Sequence, residues 1–223
     1  MVRLRYFRFN FFSENTWLAW TTGPECVVVD PGFNNPEESG EFFAGLREEG
    51  LTPAAVLLTH GHVDHIYGVA ELLDHYDIPV YLSAKDAPTL VYDKRMSRLL
   101  RQPEPRVDFK YNDITDGQLI KAADLEFEVI RTPGHSPGGS CFLERSEKIM
   151  FTGDTLFAGT IGRTDLEGGE YDDLIRSIME KLMFLDPDIT IIPGHGGTST
   201  IGQERTTNPF LEPFNEKEEE IDG

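Results

Sequence analysis

Residues 59–65 of this chain place four potential metal ligands within six positions, in the order Thr-His-Gly-His-Val-Asp-His. The apolar run directly before them is typical of a buried strand, so the cluster lies where a strand ends and a loop begins. His60 and His62 are two positions apart and can point the same way from extended backbone. Asp64 and His65 are adjacent, so their side chains diverge, and one ion can hardly use all four ligands. We therefore expect two metal ions side by side.

Three later segments share one arrangement, in which a predicted strand is followed by glycine and then by a single histidine or aspartate. The residues are His135, Asp154 and His195, after predicted strands at 125–131, 148–151 and 189–192. Small flanking residues let the backbone bend tightly and leave space around an ion. Ligands from the ends of neighbouring strands converge because the sheet holds the strands in register. We expect these three residues to complete the site.

Five of the six histidines and two aspartates thus form the predicted ligand set. Imidazole and carboxylate ligands without cysteine suit zinc, which we expect first, or iron or manganese. One division of these ligands between two divalent ions leaves each ion an open or water-shared position, as a catalytic site requires. The first ion takes His60, His62 and His135, the second takes Asp64, His65 and His195, and Asp154 bridges them. The remaining histidine, His75, is expected at the surface of a predicted helix.

The net charge of the chain limits the kinds of molecule that it can be expected to bind. The 223 residues include 20 Lys and Arg against 39 Asp and Glu, a net charge of −19. Such a field repels phosphate, so we expect a small-molecule substrate and neither nucleic acid nor membrane as partner. No stretch approaches the apolar run of about 20 residues that a membrane helix needs. Cys26 and Cys141 lie in apolar runs, which suits buried free thiols in a reducing compartment. We expect a cytoplasmic protein.

The pattern of apolar residues predicts strands and helices that alternate twice along the chain, as in an α/β fold. Residues 1–212 are expected to form a single domain, followed by an acidic tail at 213–223. Strands are predicted at 2–9, 16–21, 26–29, 54–58, 79–82, 125–131, 140–143, 148–151 and 189–192, and helices at 36–50, 66–76, 91–101 and 171–182.

The motif at 59–65, with the separate later His135, Asp154 and His195, resembles the signature of the metallo-β-lactamase fold superfamily. The resemblance runs from Asp30 to His195 in the expected order. It implies a four-layer αβ/βα sandwich, with two mixed sheets between outer helices and a dinuclear site along one sheet edge. It also implies that Asp30, at the tip of a strand, supports the metal ligands from behind.

Within that superfamily the chain resembles small bacterial glyoxalase II-like, or hydroxyacylglutathione hydrolase-like, metallohydrolases. Asp154 occupies the position where true β-lactamases carry cysteine, and residues 161–165 and 204–210 resemble stretches of the glyoxalase II-like proteins. The resemblance implies a thioester hydrolase that acts on an acyl-glutathione-like substrate. After His195 come 28 residues (223 − 195), too few for the helical domain that supplies glutathione contacts in full-length glyoxalase II.

The predicted chemistry follows from the two ions. About 3.5–4 Å apart, they would share a water and lower its pKa toward about 7, so that a hydroxide attacks the carbonyl. Asp64 is the predicted catalytic residue, which orients this water and carries its proton; the alternative is that it serves only as a ligand. Arg98, in the basic stretch 85–106, and Arg163 are candidates for binding substrate. The competing interpretation gives both arginines ion pairs with nearby acids.

Three other functions stay open. An iron-dependent persulfide dioxygenase needs only two histidines and a carboxylate. His62, His135 and Asp154 could supply them, whereas the resemblance implies His60, His135 and Asp154. A nuclease of the same fold is disfavoured by the negative charge, and a non-catalytic binding module is disfavoured by seven ligand-type residues at strand ends.

Overall fold

The structure is a computed structural model that describes residues 1–99 and 101–211. It contains two six-stranded mixed sheets. The first sheet has the spatial order β1 to β6, with β1 Arg3–Phe9, β2 Glu14–Trp20, β3 Glu25–Val29, β4 Thr52–Leu57, β5 Val80–Leu82 and β6 Asn112–Asp113. The second has the order β14-β13-β10-β9-β8-β7, with β7 Leu119–Ala122, β8 Leu125–Arg131, β9 Ser140–Glu144, β10 Ile149–Gly153, β13 Thr190–Pro193 and β14 Ser199–Thr200. A small hairpin pairs β11 Leu156–Phe157 with β12 Thr160–Ile161.

The helices are α1 Pro36–Glu49, α2 Val63–Ile66, α3 Val69–His75, α4 Ala87–Leu99, α5 Tyr171–Ser177 and α6 Ile201–Thr207. A π-helical turn, Ile178–Leu182, continues α5, and 3₁₀ turns lie at Ala84–Asp86 and Pro209–Leu211. In α1 the Asn35 side chain accepts hydrogen bonds from the first turn, Pro36 begins the helix, and Gly50 ends it with φ +67°. The helix predicted at 36–50 is therefore observed, and the Asn35 cap is a further stabilising contact at its start.

The buried side chains of each strand show how the sheets and helices are layered. In β3, Val28 packs with the Phe42 side of α1, whereas Val27 and Val29 face the second sheet. In β9, Phe142 faces the first sheet and Cys141 faces the helical layer of α5. Alternate side chains of a strand point to opposite faces, so each sheet is buried on both sides. The predicted four-layer α/β sandwich is therefore observed.

Two predicted helices have different bounds in the structure. The helix expected at 66–76 begins earlier, at Val63, and is split into α2 and α3 at Gly68. A Cβ at Gly68 would lie 2.5 Å from the Phe33 ring, and the Gly68 backbone N–H donates to the Pro31 carbonyl at 2.8 Å. The break between α2 and α3 thus depends on tertiary packing around Gly68, which the helical spacing of apolar residues does not predict. The helix expected at 91–101 already begins at Ala87.

Some predictions lie at or beyond the limits of the described residues. Residues 212–223 are outside them, and so are the predicted acidic tail at 213–223 and the end of the predicted domain. Both cysteines are buried and free, as expected. Within residues 1–99 and 101–211, no helix combines the length and apolar character needed to cross a membrane.

Candidate metal centre

The seven predicted ligands meet at one end of the two sheets. The first sheet supplies four of them: His60 and His62 from the segment after β4, and Asp64 and His65 from α2. The second sheet supplies the other three, from the loops after β8, β10 and β13; they are His135, Asp154 and His195. Each ligand comes just after a strand or in the turn that follows it, as the sequence predicts. The centre is thus assembled between the two halves of the chain.

His60, His62 and His135 form the first group, with one ring nitrogen of each within 4.8 Å of the others. His135 Nδ1 donates to the Arg163 carbonyl at 2.7 Å, which leaves a lone pair on its Nε2. The Thr59 hydroxyl lies 3.0 Å from His60 Nδ1 and donates its own proton to Asp30, so it accepts from this nitrogen. His60 Nε2 therefore also carries a lone pair. Backbone and hydroxyl partners fix the tautomers that a metal requires.

Asp64, His65 and His195 form the second group, again with ligand atoms within 4.8 Å of one another. His195 Nε2 is 3.2 Å from Asp64 Oδ2, and His65 Nε2 is 3.7 Å from the same oxygen. Asp154 lies between the groups. Its Oδ1 is 3.5 Å from His65 Nε2, and its Oδ2 is 3.5 Å from His135 Nε2. The structure thus gives Asp154 contacts with both groups, which is the position of a bridging carboxylate.

Three buried polar atoms at the centre have no partner within the described protein, and their positions show where a cation would fit. His60 Nε2, His65 Nε2 and Asp154 Oδ1 are buried and have no hydrogen-bond partner among the described residues. A buried polar atom without a partner costs about 1–3 kcal/mol. A divalent cation placed among them would be a partner for all three. Imidazole nitrogens and carboxylate oxygens are ligands that zinc, iron and manganese accept. The residues present therefore fit divalent metal ions.

The two groups differ in their electrostatics. Burial lowers the pKa of His62 to about 3, with a further contribution from His135. Burial and neighbouring imidazoles also lower the pKa of His60 well below its usual value. Burial opposes charge on His65 too, but Asp64, Asp154 and Asp30 outweigh it and raise the pKa of His65 well above its usual value. Burial therefore favours the neutral forms of His60 and His62, whereas neighbouring carboxylates favour the charged form of His65.

Asp30 supports the centre from behind. Its carboxylate accepts from the Thr59 backbone N–H at 2.8 Å and from the Thr59 hydroxyl at 2.6 Å, and it lies 3.0 Å from His65 Nδ1. The residue has φ +49°, an unusual value for aspartate, at the tip of β3. Such strain persists where surrounding contacts over-determine it. The hydrogen bond to Nδ1 directs His65 Nε2 toward the second group.

Two further acids hold the ligand loops, and neither of them belongs to a motif that sequence reasoning could find. The buried Asp86 accepts from the Gly61 backbone N–H at 2.8 Å, from the Ser136 hydroxyl at 2.9 Å and from the Gly138 backbone N–H. It thereby joins the loop of His60 and His62 to the loop of His135. Asp93 accepts from the Val63 N–H at 2.7 Å, at the first turn of α2. Burial raises the pKa of Asp93 to about 7.

The turn between β1 and β2 is tied to the same centre. The side-chain amide of Asn10 donates to the carbonyls of Gly32 and Asp64, each at 3.0 Å. The side-chain amide of Asn15 donates to the Pro193 carbonyl at 3.2 Å, beside the loop of His195. Neither asparagine follows a predicted ligand pattern in the sequence, so sequence reasoning missed both. Together they connect the first hairpin to ligand segments of both sheets.

A cavity of about 470 Å³ opens on the ligands. Arg163, a predicted substrate contact, lies in its wall, where its guanidinium pairs with Asp165 at 2.7 and 2.8 Å. Arg98 lies elsewhere on α4, is exposed, and pairs with Glu104 at 2.8 Å. The structure therefore does not bring Arg98 into the cavity wall. His75 is exposed, as predicted, with its ring against Phe43.

Comparison with known proteins identifies the family. The family model described as Metallo-beta-lactamase superfamily matches residues 9–195, which include all seven ligand residues. The chain belongs to this superfamily. Hydroxyacylglutathione hydrolase GloC of Haemophilus influenzae is 36% identical over 203 residues, which cover 90% of this chain and 93% of that protein.

Two solved structures agree with this assignment. BLEG-1 B3 metallo-beta-lactamase superposes with a TM-score of 0.86 at 35% identity, over 94% of this chain and 99% of that one. TTHA1623 in a di-iron-bound form superposes with a TM-score of 0.83 at 35% identity, over 93% of this chain and 100% of that one. The second structure shows that a related protein of this fold binds two irons.

Proposed function

We propose that the chain is a dinuclear metal-dependent thioester hydrolase of glyoxalase II type. The observation that carries the proposal is the pair of three-residue ligand groups with Asp154 between them, since members of both groups line one cavity. The 36% identity to a hydroxyacylglutathione hydrolase supports a thioester as the substrate. We expect zinc in both positions, with iron or manganese as alternatives, and a small acyl thioester as the partner.

Two divalent ions held by these residues would lower the pKa of a water between them and polarise the substrate carbonyl. The protein's own contribution begins with Asp64. Burial raises its pKa, but His65 and His195 outweigh this effect, so the pKa of Asp64 is well below its usual value and the group is ionised at neutral pH. The Asp64 carboxylate, in the cavity wall, can therefore orient the attacking water by accepting its proton in a hydrogen bond.

The supporting residues keep the site in one geometry. Arg163 holds the His135 ring through its carbonyl, and Asp30 holds the His65 ring through its carboxylate. Fixed rings avoid reorganisation during the reaction, which is a general source of rate enhancement.

The proposal is tested by measuring free thiol released from a panel of acyl thioesters by the metal-loaded protein. His60→Ala and Asp154→Ala should each lower kcat/KM by about a thousandfold or more, because each removes a ligand. His75→Ala is the matched control: it also removes a histidine, but one exposed on α3, and should leave kcat/KM unchanged. Full metal occupancy with no hydrolysis of any thioester would contradict the proposal.

A mononuclear iron dioxygenase acting on persulfides is the second candidate. His62 Nδ1 lies 2.8 Å from His135 Nε2, which is 3.5 Å from Asp154 Oδ2, so two histidines and a carboxylate are present together. The second ligand group is not needed by such an enzyme, which is why we prefer the hydrolase. Metal analysis decides: one iron per chain with oxygen uptake supports the dioxygenase, whereas two ions per chain exclude it.

A further inference from the structure

We propose that the cavity selects thioesters with an apolar acyl or thiol group, and that it does not select the anionic glutathione portion of a substrate. The inference rests on the proposed thioester hydrolase and names its substrate class. Three features of the described residues support it. They are the apolar side chains in the cavity wall, the charges of the other wall residues, and the turn between β1 and β2, which places the Phe12 ring in that wall.

The first feature is the chemistry of the wall. Four apolar side chains line the cavity beside the ligands: Phe12, Val63, Phe157 and Leu166. The Phe157 ring centroid is 6.4 Å from that of His195, so the apolar surface begins at the metal ligands. A cavity of about 470 Å³ lies within the range of small-molecule sites, which are mostly apolar with a few fixed polar groups. Here the polar groups are the metal ligands with Asp93 and Arg163.

The second feature is charge. Three aspartates line the cavity, Asp64, Asp93 and Asp154, and among the described wall residues Arg163 is the one arginine or lysine. Its guanidinium is already paired with Asp165 through two hydrogen bonds. Glutathione carries two carboxylates, and buried or half-buried carboxylates need cationic or N–H partners. The described wall offers little to either carboxylate, and the net charge of −19 repels an anionic substrate at longer range.

The third feature is the turn between β1 and β2. The Phe12 backbone N–H donates to the Asn10 side chain at 2.9 Å, and Asn10 is in turn bonded to the Asp64 carbonyl. The turn is therefore fixed to the metal segment. Phe11 is 78% exposed and its ring packs edge-on against Phe12 at 5.5 Å. Phe12 lines the cavity, so the exposed Phe11 ring lies next to a residue of the cavity wall, and clustered exposed apolar surface is typical of binding sites.

The experiment compares thioesters that differ in one part. One series joins lactoyl, butyryl, hexanoyl and phenylacetyl groups to the uncharged thiol N-acetylcysteamine, and a second series joins the same acyl groups to glutathione. With metal-loaded protein, kcat/KM should rise about tenfold or more from lactoyl to phenylacetyl, because buried apolar groups give discrimination of this size. Replacing N-acetylcysteamine by glutathione should not raise kcat/KM.

Substitutions in the cavity wall test whether it causes the preference for apolar acyl groups. Phe157→Ala should lower the phenylacetyl-to-lactoyl ratio of kcat/KM by about fivefold or more, since it removes an aromatic wall. Phe184→Ala is the matched control, because Phe184 is 76% exposed and is not among the cavity wall residues. It should keep the wild-type ratio. An unchanged ratio in Phe157→Ala would overturn the assignment.

A binding measurement separates this inference from the proposed function. Calorimetry should show that S-phenethyl-N-acetylcysteamine, a thioether that cannot be hydrolysed, binds the metal-loaded protein more tightly than S-methylglutathione. Phe157→Ala should remove the difference. Preference for lactoylglutathione over every apolar thioester would overturn the apolar cavity and leave the thioester hydrolase intact. If no thioester is hydrolysed, the proposed function fails, and thioether binding alone then decides the chemistry of the cavity.

Discussion

Asp30 Oδ2 lies 3.0 Å from His65 Nδ1, and both side chains are buried at the junction of β3 and α2. The same carboxylate accepts both polar hydrogens of Thr59, its backbone N–H and its hydroxyl. One aspartate therefore sets the ring orientation of a metal ligand and the start of the segment that carries the other ligands of the first sheet.

Asp30→Asn should weaken metal binding about 10–100-fold, because groups behind a ligand typically contribute that much. The amide also presents N–H groups to donors, so we expect a loss of about 1–3 kcal/mol in the free energy of unfolding. Metal titration and urea unfolding measure the two effects. Asp74→Asn is the control: Asp74 is exposed on α3 and pairs with Arg106. Wild-type metal affinity in Asp30→Asn would refute this account of Asp30.

Asp86→Ala should destabilise the protein by about 3 kcal/mol or more, since three buried donors lose a shared acceptor and each unsatisfied group costs about 1–3 kcal/mol. The first ligand group should also lose metal affinity, because its two loops are no longer joined. Thermal unfolding and metal titration test both. Asp77→Ala, at an exposed position in the same half of the chain, should leave both quantities unchanged. Equal stability of the two variants would contradict the role given to Asp86.

Gly153→Ala should be strongly destabilising. Gly153 has φ +47°, and a Cβ there would lie 2.3 Å from the Thr59 hydroxyl oxygen. Strain at this backbone conformation costs about 1–3 kcal/mol, and displacement of Thr59 would disturb its bonds to Asp30. Gly40→Ala is an informative control, because Gly40 lies within α1 with open space around it. That variant should gain about 0.5–1 kcal/mol. Urea unfolding of both variants should give changes of opposite sign.

Acidification should remove the second metal before the first. Burial opposes the charged form of both His65 and His195, but neighbouring carboxylates outweigh it and raise both pKa values. In the metal-free chain these rings therefore hold their protons more tightly than ordinary histidines, and a metal must displace those protons, so metal affinity falls as pH decreases. The pKa of His62 is lowered to about 3, so protons compete for it only in strong acid. Metal content after dialysis at graded pH measures the order. Simultaneous loss of both ions would contradict it.

The convergence of the seven candidate ligands was predictable because their signals are local. His135, Asp154 and His195 each follow an apolar run and a glycine, and the sheet then brings the strand ends together. Asp86 is different, because its partners Gly61 and Ser136 lie 25 and 50 positions away and it follows no motif. Contacts of this kind depend on how the loops pack against one another in the folded protein, and the local pattern of residue types along the sequence does not predict them.

Charge in the sequence does not identify the partner of a cation. The basic stretch 85–106 predicted Arg98 as a candidate for binding substrate, with an ion pair to a nearby acid as the competing interpretation. In the structure Arg98 is satisfied by Glu104, five positions beyond the end of α4 at Leu99. A formal charge count cannot distinguish a free cation from one with a partner, because the partner is chosen by the path of the following loop. Arg163, which does reach the cavity, is likewise paired with a neighbour.

Each ligand group draws on both sheets: His135 joins His60 and His62, and His195 joins Asp64 and His65. Neither of these two groups is therefore complete within one half of the chain. Under the proposed function, an ion held by either group would cross-link the two halves, and it could bind to the complete group only after they have docked. Metal content would then report correct assembly, because a chain whose halves have come together wrongly would lack both complete groups.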